Sequence, residues 1–303
     1  MIRRLARLLT AFFACALLVV GCQIVRNSGD QPLLPQPPGA LRVATWNVHY
    51  IDLRADGGPW SVADWMRRRG PMAEAVRAID ADVFAFQEME SFGGGEGGTE
   101  NLTLEWLRAE VPNLAAAAVG DPAAFPSTQP IFYRTDRLEV LDQGWFFFSD
   151  TPEVIYSRTF NGSYPAFASW ARFRDRGTGA TFRVVNVHTD YASPSNRLAS
   201  VALVAERAAD WIAADERVIL AGDLNARRGD RTLAILEAAG LTFVPVEGAT
   251  YHFNRGLNLF AAIDHIGHSD RISAAALPVV LRRRVSGEWP SDHYPVIADL
   301  VLD

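Results

Sequence analysis

From residue 41 to the C-terminus, short apolar runs with strand-like alternation are interleaved with longer stretches of helical spacing. Leu41 to Val48 reads as a strand, and Val62 to Ile79 carries apolar residues at helical intervals behind Ser61, a typical N-cap residue. The same reading gives a strand over Asp82 to Gln87, a short helix over Leu102 to Glu110 and strands over Ile131 to Arg134, Leu138 to Phe148, Phe167 to Arg174 and Thr181 to His188. The last four look like a second, more antiparallel region. An Ala-rich helix over Asn196 to Ala214 leads into Val218-Ile-Leu-Ala221, a run as short and apolar as a fully buried strand. A helix over Arg231 to Ala239 and strands near Thr242 to Val246, Ala262 to Ile266 and Val296 to Leu300 complete the pattern. No internal repeat interrupts it, and the one low-complexity tract is the Gly93-Gly-Gly-Glu-Gly-Gly98 loop. One α/β domain, helices outside two packed sheets, accounts for 41–303.

The first forty residues follow a different pattern. Arg3, Arg4 and Arg7 precede an uncharged, mostly apolar run from Leu8 to Val20, too short for a bilayer span, and Val19-Val-Gly-Cys22 follows. The run reads as an export signal over 1–21, and its end resembles the bacterial lipobox, which implies cleavage before Cys22 and a lipid on that Cys. Gln23 after the Cys is similar to the outer-membrane sorting case. Cys15 lies inside the apolar run, so the chain beyond Cys22 has no other thiol and no disulfide is expected. Pro32, Pro35, Pro37 and Pro38, with Asn27, Ser28 and Gly29, make 22–40 read as an extended tether. The resulting expectation is a lipid-anchored protein of the bacterial cell envelope. Net charge is −6, and loss of Arg3, Arg4 and Arg7 with the signal makes it −9, the reverse of the basic surface a polyanion binder presents.

The chemistry gathers where strands end. Val218-Ile-Leu-Ala-Gly-Asp-Leu-Asn225 closes an apolar run on Gly222, read as a turn residue, and then offers Asp223 and Asn225. A carboxylate beside a carboxamide can polarise a water and hold a phosphoryl oxygen; the same pair also caps turns in many proteins. Other strands end in Asn47 and His49, in Gln87 and Glu88, and in the alternating Asn186, His188 and Asp190, which share a face. Ile263-Asp-His-Ile266 and Ser291-Asp-His-Tyr-Pro295 follow. Singly, each is an ordinary polar strand end; converging on one rim of layered sheets, they form a candidate site.

With Thr45-Trp-Asn47, Gln87-Glu88, Asn186-Val-His188, Gly222-Asp-Leu-Asn225, Ile263-Asp264 and Ser291-Asp-His293 in this order, the chain resembles the endonuclease/exonuclease/phosphatase family from Leu41 to its C-terminus. The resemblance implies a four-layer α/β/β/α sandwich and Mg²⁺-dependent hydrolysis of phosphate esters, with Mn²⁺ as an alternative ion. It places Glu88 as principal metal ligand with Asn47 and Asp292, hard oxygen donors of the kind Mg²⁺ prefers. Asp223 corresponds to the residue that orients or deprotonates the attacking water, a role that falls to a His in some members. Asn225 and His188 would donate to non-bridging phosphate oxygens. His293 would contact the scissile phosphate, with Asp264 fixing its tautomer and favouring its charged form.

Pro130-Ile-Phe-Tyr-Arg134, Trp145-Phe-Phe-Phe-Ser149, Ser169-Trp-Ala171 and His188-Thr-Asp190 with Arg197 resemble a bacterial branch of the family. That branch commonly carries an Arg before the Ser/Thr-Trp-Ala strand, where this chain has Tyr164-Pro-Ala-Phe167. Arg134 is the candidate phosphate clamp, set against ordinary surface solvation. Asn186, Asp190, Tyr251 and His252 complete the candidate substrate contacts, with a buried packing pair as the other reading of Tyr251 and His252. Trp46, Trp145 and Trp170 read as core. The expected activity is a phosphodiesterase or phosphatase acting on a small or lipid-borne ester as a monomer. A nuclease is the alternative, for which Arg67-Arg-Arg69 and Arg282-Arg-Arg284 are the available basic runs. A catalytically silent phosphate-binding module would be favoured if motif residues were replaced, and none of the six motifs is.

Overall fold

The computed structural model describes residues 2–29, 31–93 and 100–303; all of the glycine-rich loop except Gly93 lies outside them. In chain order the elements are α1 (Ile2–Asn27), β1 (Leu41–Asn47), β2 (Ile51–Asp52), α2 (Val62–Ile79), β3 (Val83–Gln87), β4 (Ser91–Phe92), α3 (Leu102–Glu110) and β5 (Leu114–Ala117). Then come β6 (Ile131–Arg134), β7 (Leu138–Phe147), β8 (Phe167–Asp175), β9 (Thr181–His188), α4 (Pro194–Ala213), β10 (Arg217–Asp223) and α5 (Arg231–Ala238). The last strands are β11 (Thr242–Phe243), β12 (Asp264–His268), β13 (Ile272–Ala274), β14 (Val279–Val280) and β15 (Val296–Leu302).

Two sheets carry the domain. One runs β13-β15-β1-β3-β6-β5 with β14 also on β15, the other β11-β12-β10-β9-β8-β7. Alternation along each strand sends side chains into separate cores. Val43, Val83, Ala85, Ile219, Ala221 and Val296 pack between the sheets. Ala44, Trp46, Phe84 and Phe86 pack outward under Trp65, Val76 and Ile79 of α2 and Leu104 and Leu107 of α3. Val185, Val187, Val218 and Leu220 pack outward under Val201 and Val204 of α4 and Leu233 and Leu236 of α5. Three apolar layers between four structural ones make the expected α/β/β/α sandwich, and because both faces of each sheet are covered, the strands read as nearly continuous apolar runs.

Three local expectations change. Ile131–Arg134 belongs to the first sheet, antiparallel to β3 with Ile131 opposite Ala85, not to the second antiparallel region. Gly222 does not turn the chain: it lies inside β10 opposite Val187, where a Cβ would stand 1.9 Å from the Val187 carbonyl oxygen. Its role is close strand approach. The segment read as a tether lies against the head. Helix α1 continues through Cys22, and among the described residues no helix is long and apolar enough to cross a membrane. Buried Asn27 donates to the Asn258 carbonyl at 3.2 Å and its own carbonyl accepts from Ala249 N at 3.0 Å. Further on, Leu33 packs on the α2/α3 layer, Arg42 donates to Leu34 O at 2.8 Å, and both Gln36 and Arg137 donate to Ala40 O at 2.7 Å. A Pro-rich stretch has few N–H groups, and here its carbonyls are taken by side-chain donors of the head.

Candidate active site

Strand pairing assembles the site. β1 and β3 run parallel with Asn47 opposite Gln87, and β9 and β10 run parallel with His188 opposite Asp223, so these C-terminal ends meet at one rim. β12 pairs antiparallel to β10 and begins with Asp264 opposite Asp223; His293 arrives from the segment before β15. Just past these strand ends His49, Glu88 and Asn225 take left-handed backbone, φ 61°, 53° and 45°. For Glu88, unlike His49 and Asn225, that is strained geometry, of a kind concentrated at functional sites.

Asp223 is the hub. Its Oδ2 is 3.2 Å from Asn47 Nδ2 and 3.7 Å from both His188 Nε2 and His293 Nε2, while its Oδ1 accepts from Asn225 N at 2.9 Å. Asn47 Nδ2 also reaches Glu88 Oε1 at 3.1 Å, and His188 Nε2 lies 3.8 Å from the same oxygen. On the far side His293 Nδ1 meets Asp264 Oδ2 at 2.9 Å. Burial, then repulsion from Asp264, pushes the Asp223 carboxyl up, against the pull of His293 and His188. Burial works against the charged His293 ring, yet Asp264 and then Asp223 outweigh it and hold the imidazole well above its ordinary value. A buried carboxylate raised in this way is suited to taking a proton, and an imidazolium so held is suited to donating.

Two groups could face a cation. Asp223, Asp264 and His293 place ligand atoms within 4.8 Å of one another. There the His293 Nδ1 is committed to Asp264, and a protonated ring has no lone pair to give. Glu88 and Asp292 offer two carboxylates, the hard donors a divalent ion takes, while Asn47 turns its Nδ2 to Glu88 and Asp223 and its Oδ1 accepts from His49 N at 3.1 Å, so it would face the ion with oxygen only after its amide turns over. Glu88 keeps 24% of its side chain exposed against 2% for Asp223, leaving room for waters and substrate. Asp292 is fixed by His49 Nδ1 at 3.2 Å and Ser291 Oγ at 3.3 Å; burial alone would raise its carboxyl, but the His49 hydrogen bond and charge hold it far below the carboxylate range. The residues present thus fit a divalent cation at the Glu88 side.

Asn47, Glu88, His188, Asp223, Asn225, Asp264, Asp292 and His293 are brought together. Asn225 differs in detail: its Nδ2 donates to Thr189 O at 2.9 Å, tying the loop after β9 to the end of β10. Tyr251 stands at the edge, bridging to His293 with ring centroids 4.9 Å apart. Asp190 Oδ1 accepts from Ala192 and Ser193 N and so turns the chain into α4. Three expected substrate contacts are elsewhere. Arg134 lies at the opposite end of β6, its N bonded to Asp82 O and its guanidinium paired with Asp80 and Asp136, because β6 is antiparallel to β3. Asn186 is fully buried between the sheets, donating to Phe86 O at 2.7 Å and accepting from Gln87 Nε2 at 2.7 Å. His252 is a core residue stacked on Tyr294 at 4.1 Å with the Trp289 ring tilted against it at 4.5 Å, and burial drives its pKa down to about 4. Trp46 is core, whereas Trp145 and Trp170 are half-buried on the second sheet.

Sequence reasoning missed the supports. Arg68 is buried, donating to Val48 O at 2.7 Å, His49 O at 2.6 Å and Pro290 O at 3.2 Å, and so fixes the two loops that carry His49 and Asp292. Within an Arg-Arg-Arg run nothing marks the middle residue as the buried one except its place on the α2 face with Trp65 and Met72. Glu90 was also missed; burial, then Glu88, pushes its carboxyl up to about 7.

The Endonuclease/Exonuclease/phosphatase family profile matches residues 44–293. Among solved structures, an endonuclease/exonuclease/phosphatase family protein of Bacteroides thetaiotaomicron is 25% identical, with a TM-score of 0.72 over 88% of this chain and 99% of that one. A mannosyl-6-phosphatase from the same organism is 26% identical, with a TM-score of 0.71 over 86% and 99%. D. rerio TDP2 complexed with a single-strand DNA product, at 16% identity, TM-score 0.61 and coverages of 86% and 98%, shares the fold. No curated protein matches by sequence.

Proposed function

Because this chain belongs to the endonuclease/exonuclease/phosphatase family, whose members are phosphoesterases, we propose that it is a Mg²⁺-dependent hydrolase of a small or lipid-borne phosphate ester, lipid-anchored through Cys22 in the bacterial cell envelope. Convergence of Asn47, His188 and His293 on Asp223 Oδ2 carries the reading. Glu88, Asn47 and Asp292 would hold the ion, with Mn²⁺ as a substitute, and its chemistry is to neutralise charge on the phosphoryl oxygens. Asp223 takes the proton of the attacking water. His293, kept charged by Asp264, donates to the developing phosphate charge; His188 and the second N–H of Asn225 hold non-bridging oxygens.

Four of the six arginines in the basic runs that a nuclease would need are engaged in the fold, and Arg67 and Arg283 stay exposed. Arg68 is buried, Arg69 lies over the Trp106 ring at 4.0 Å, Arg282 donates to Ala249 O at 2.8 Å, and Arg284 lies over Trp289 at 5.2 Å. Hydrolysis of bis-p-nitrophenyl phosphate and p-nitrophenyl phosphate should need added Mg²⁺ or Mn²⁺, and Glu88→Gln should lower kcat/KM about a hundredfold or more, since an amide replaces the main charged ligand. Full activity in excess chelator overturns the metal assignment.

A further inference from the structure

Exposed apolar side chains of the head gather at one end of the sandwich. Trp60 before α2, Phe92 in β4, Tyr191 after β9 and Leu257 and Phe260 before β12 are between 36% and 78% exposed, and the loop between β7 and β8 adds Tyr164 and two more. Among the described residues after 40, Met66 and Leu277 are the large apolar side chains exposed elsewhere. The register puts these loops at the rim where the catalytic strands end: Ala168 at the start of β8 lies opposite Val187, and β12 begins with Asp264 opposite Asp223. The other end of the same sheets carries ion pairs, Arg134 with Asp80, Arg137 with Asp82 and Asp175, and Arg271 with Asp215. Apolar side chains scattered singly over a surface need no explanation, but their segregation to one end, around a cleft, marks an interaction surface.

The chemistry of the rim is that of a membrane interface. Trp and Tyr carry an apolar body with a polar tip and settle at the headgroup level of a bilayer. Charges of both signs lie among the rings. Arg54 packs beside Gly93, next to Phe92, Arg227 lies over Phe260 at 5.2 Å, and Arg228 and Arg255 are exposed. Asp52, Asp56, Glu90 and Asp190 share these loops, and the loop between β7 and β8 adds Arg158 with Asp150 and Glu153. Such a mixture is neither a basic nor an acidic field, and it suits zwitterionic headgroups. The chain also enters the head at this end. Ala249 and Asn258 bracket part of the last rim loop, Ala249 N donating to Asn27 O at 3.0 Å and Asn258 Nδ2 to Ser28 Oγ at 2.8 Å. Cys22, the proposed site of the lipid, therefore joins the head through the rim and not through the ion-paired end.

We infer that the rim is a membrane-docking face, whose loops sit in the headgroup layer of a bilayer so that the catalytic cleft opens onto the lipid surface. The inference rests on the Cys22 anchoring proposed above. Cleavage and acylation would leave the mature chain without a free thiol. Tyr164→Cys and Tyr191→Cys on the rim and Thr178→Cys in the opposite turn between β8 and β9, all exposed positions, can then each carry an environment-sensitive fluorophore. In acylated protein reconstituted into phosphatidylcholine vesicles, emission from 164 and 191 should shift to the blue and be quenched by nitroxide-labelled lipid, and emission from 178 should do neither. Water-like emission from 164 and 191 on membrane-bound protein overturns the docking face and keeps the anchor. A blue shift at 164 and 191 that needs no vesicles and grows with protein concentration overturns it in favour of a second copy of the chain. Should mass spectrometry find Cys22 unacylated, the same labels in full-length Cys15→Ser/Cys22→Ser protein added to vesicles decide. Shifts at 164 and 191 but not at 178 then keep the docking face and overturn only the anchor, and water-like emission from all three overturns both.

Discussion

His293 stands between two carboxylates, 2.9 Å from Asp264 and 3.7 Å from Asp223, and this placement makes the pH dependence predictable. With its pKa raised, the ring is charged through neutral pH, and what its pairing adds to stability is complete below about pH 6.5 and lost as pH climbs through the folded value. Asp264→Asn removes an opposing charge, so the His293 pKa falls and the alkaline limb of the rate profile should move to lower pH. His293→Ala should abolish that limb, and the double variant should cost little more than His293→Ala, since two residues acting as one unit are non-additive. A limb that stays in place in Asp264→Asn assigns the titration to another group. Additive losses give Asp264 a separate role.

At the scale of elements, the meeting of β9 and β10 sets the distance between His188 and Asp223. Gly222 permits it. In Gly222→Ala the obstacle is the Val187 backbone, which cannot rotate away, so the strands must part at a cost of about 1–3 kcal/mol, and activity should fall with stability as Asp223 shifts. Denaturant midpoints and kcat/KM for the pair of proteins check it; an unchanged midpoint would show that the strands are not so close. Much at this scale is legible in sequence. Ser61 announces α2, and its Oγ accepts from Asp64 N at 3.2 Å. β5, Leu-Ala-Ala-Ala, is silent, because a run of alanines has neither alternation nor β preference. The site residues at parallel strand ends were readable because each closes an apolar run. Arg134 misled because the two ends of a strand look alike until its partner's direction is known. Asn186 and His188 share a face as alternation requires; the depth that separates the buried amide from the half-exposed imidazole is fixed by how far the first sheet, through Phe86 and Gln87, extends over β9.

At the scale of the whole molecule, the acidic net charge counts against a polyanionic substrate, and the first forty residues carry the proposed lipid anchor. Cys22 is exposed on α1, and Cys22→Ser should release the protein from the membrane fraction with kcat/KM unchanged in detergent-free buffer. Retention in the membrane would place the anchor elsewhere. If acylation occurs at Cys22, the attachment of Asn27 to the 249–258 loop leaves only five residues of chain between lipid and head. Fully extended, that is a leash of about 18 Å, where a free chain from Cys22 to Ala40 would allow about 60 Å. A long leash lets an enzyme sweep the space outside the membrane and meet soluble substrate at will. A short one confines it to a thin shell in which turnover is governed by what reaches the lipid surface, and makes the concentration that matters one per unit area.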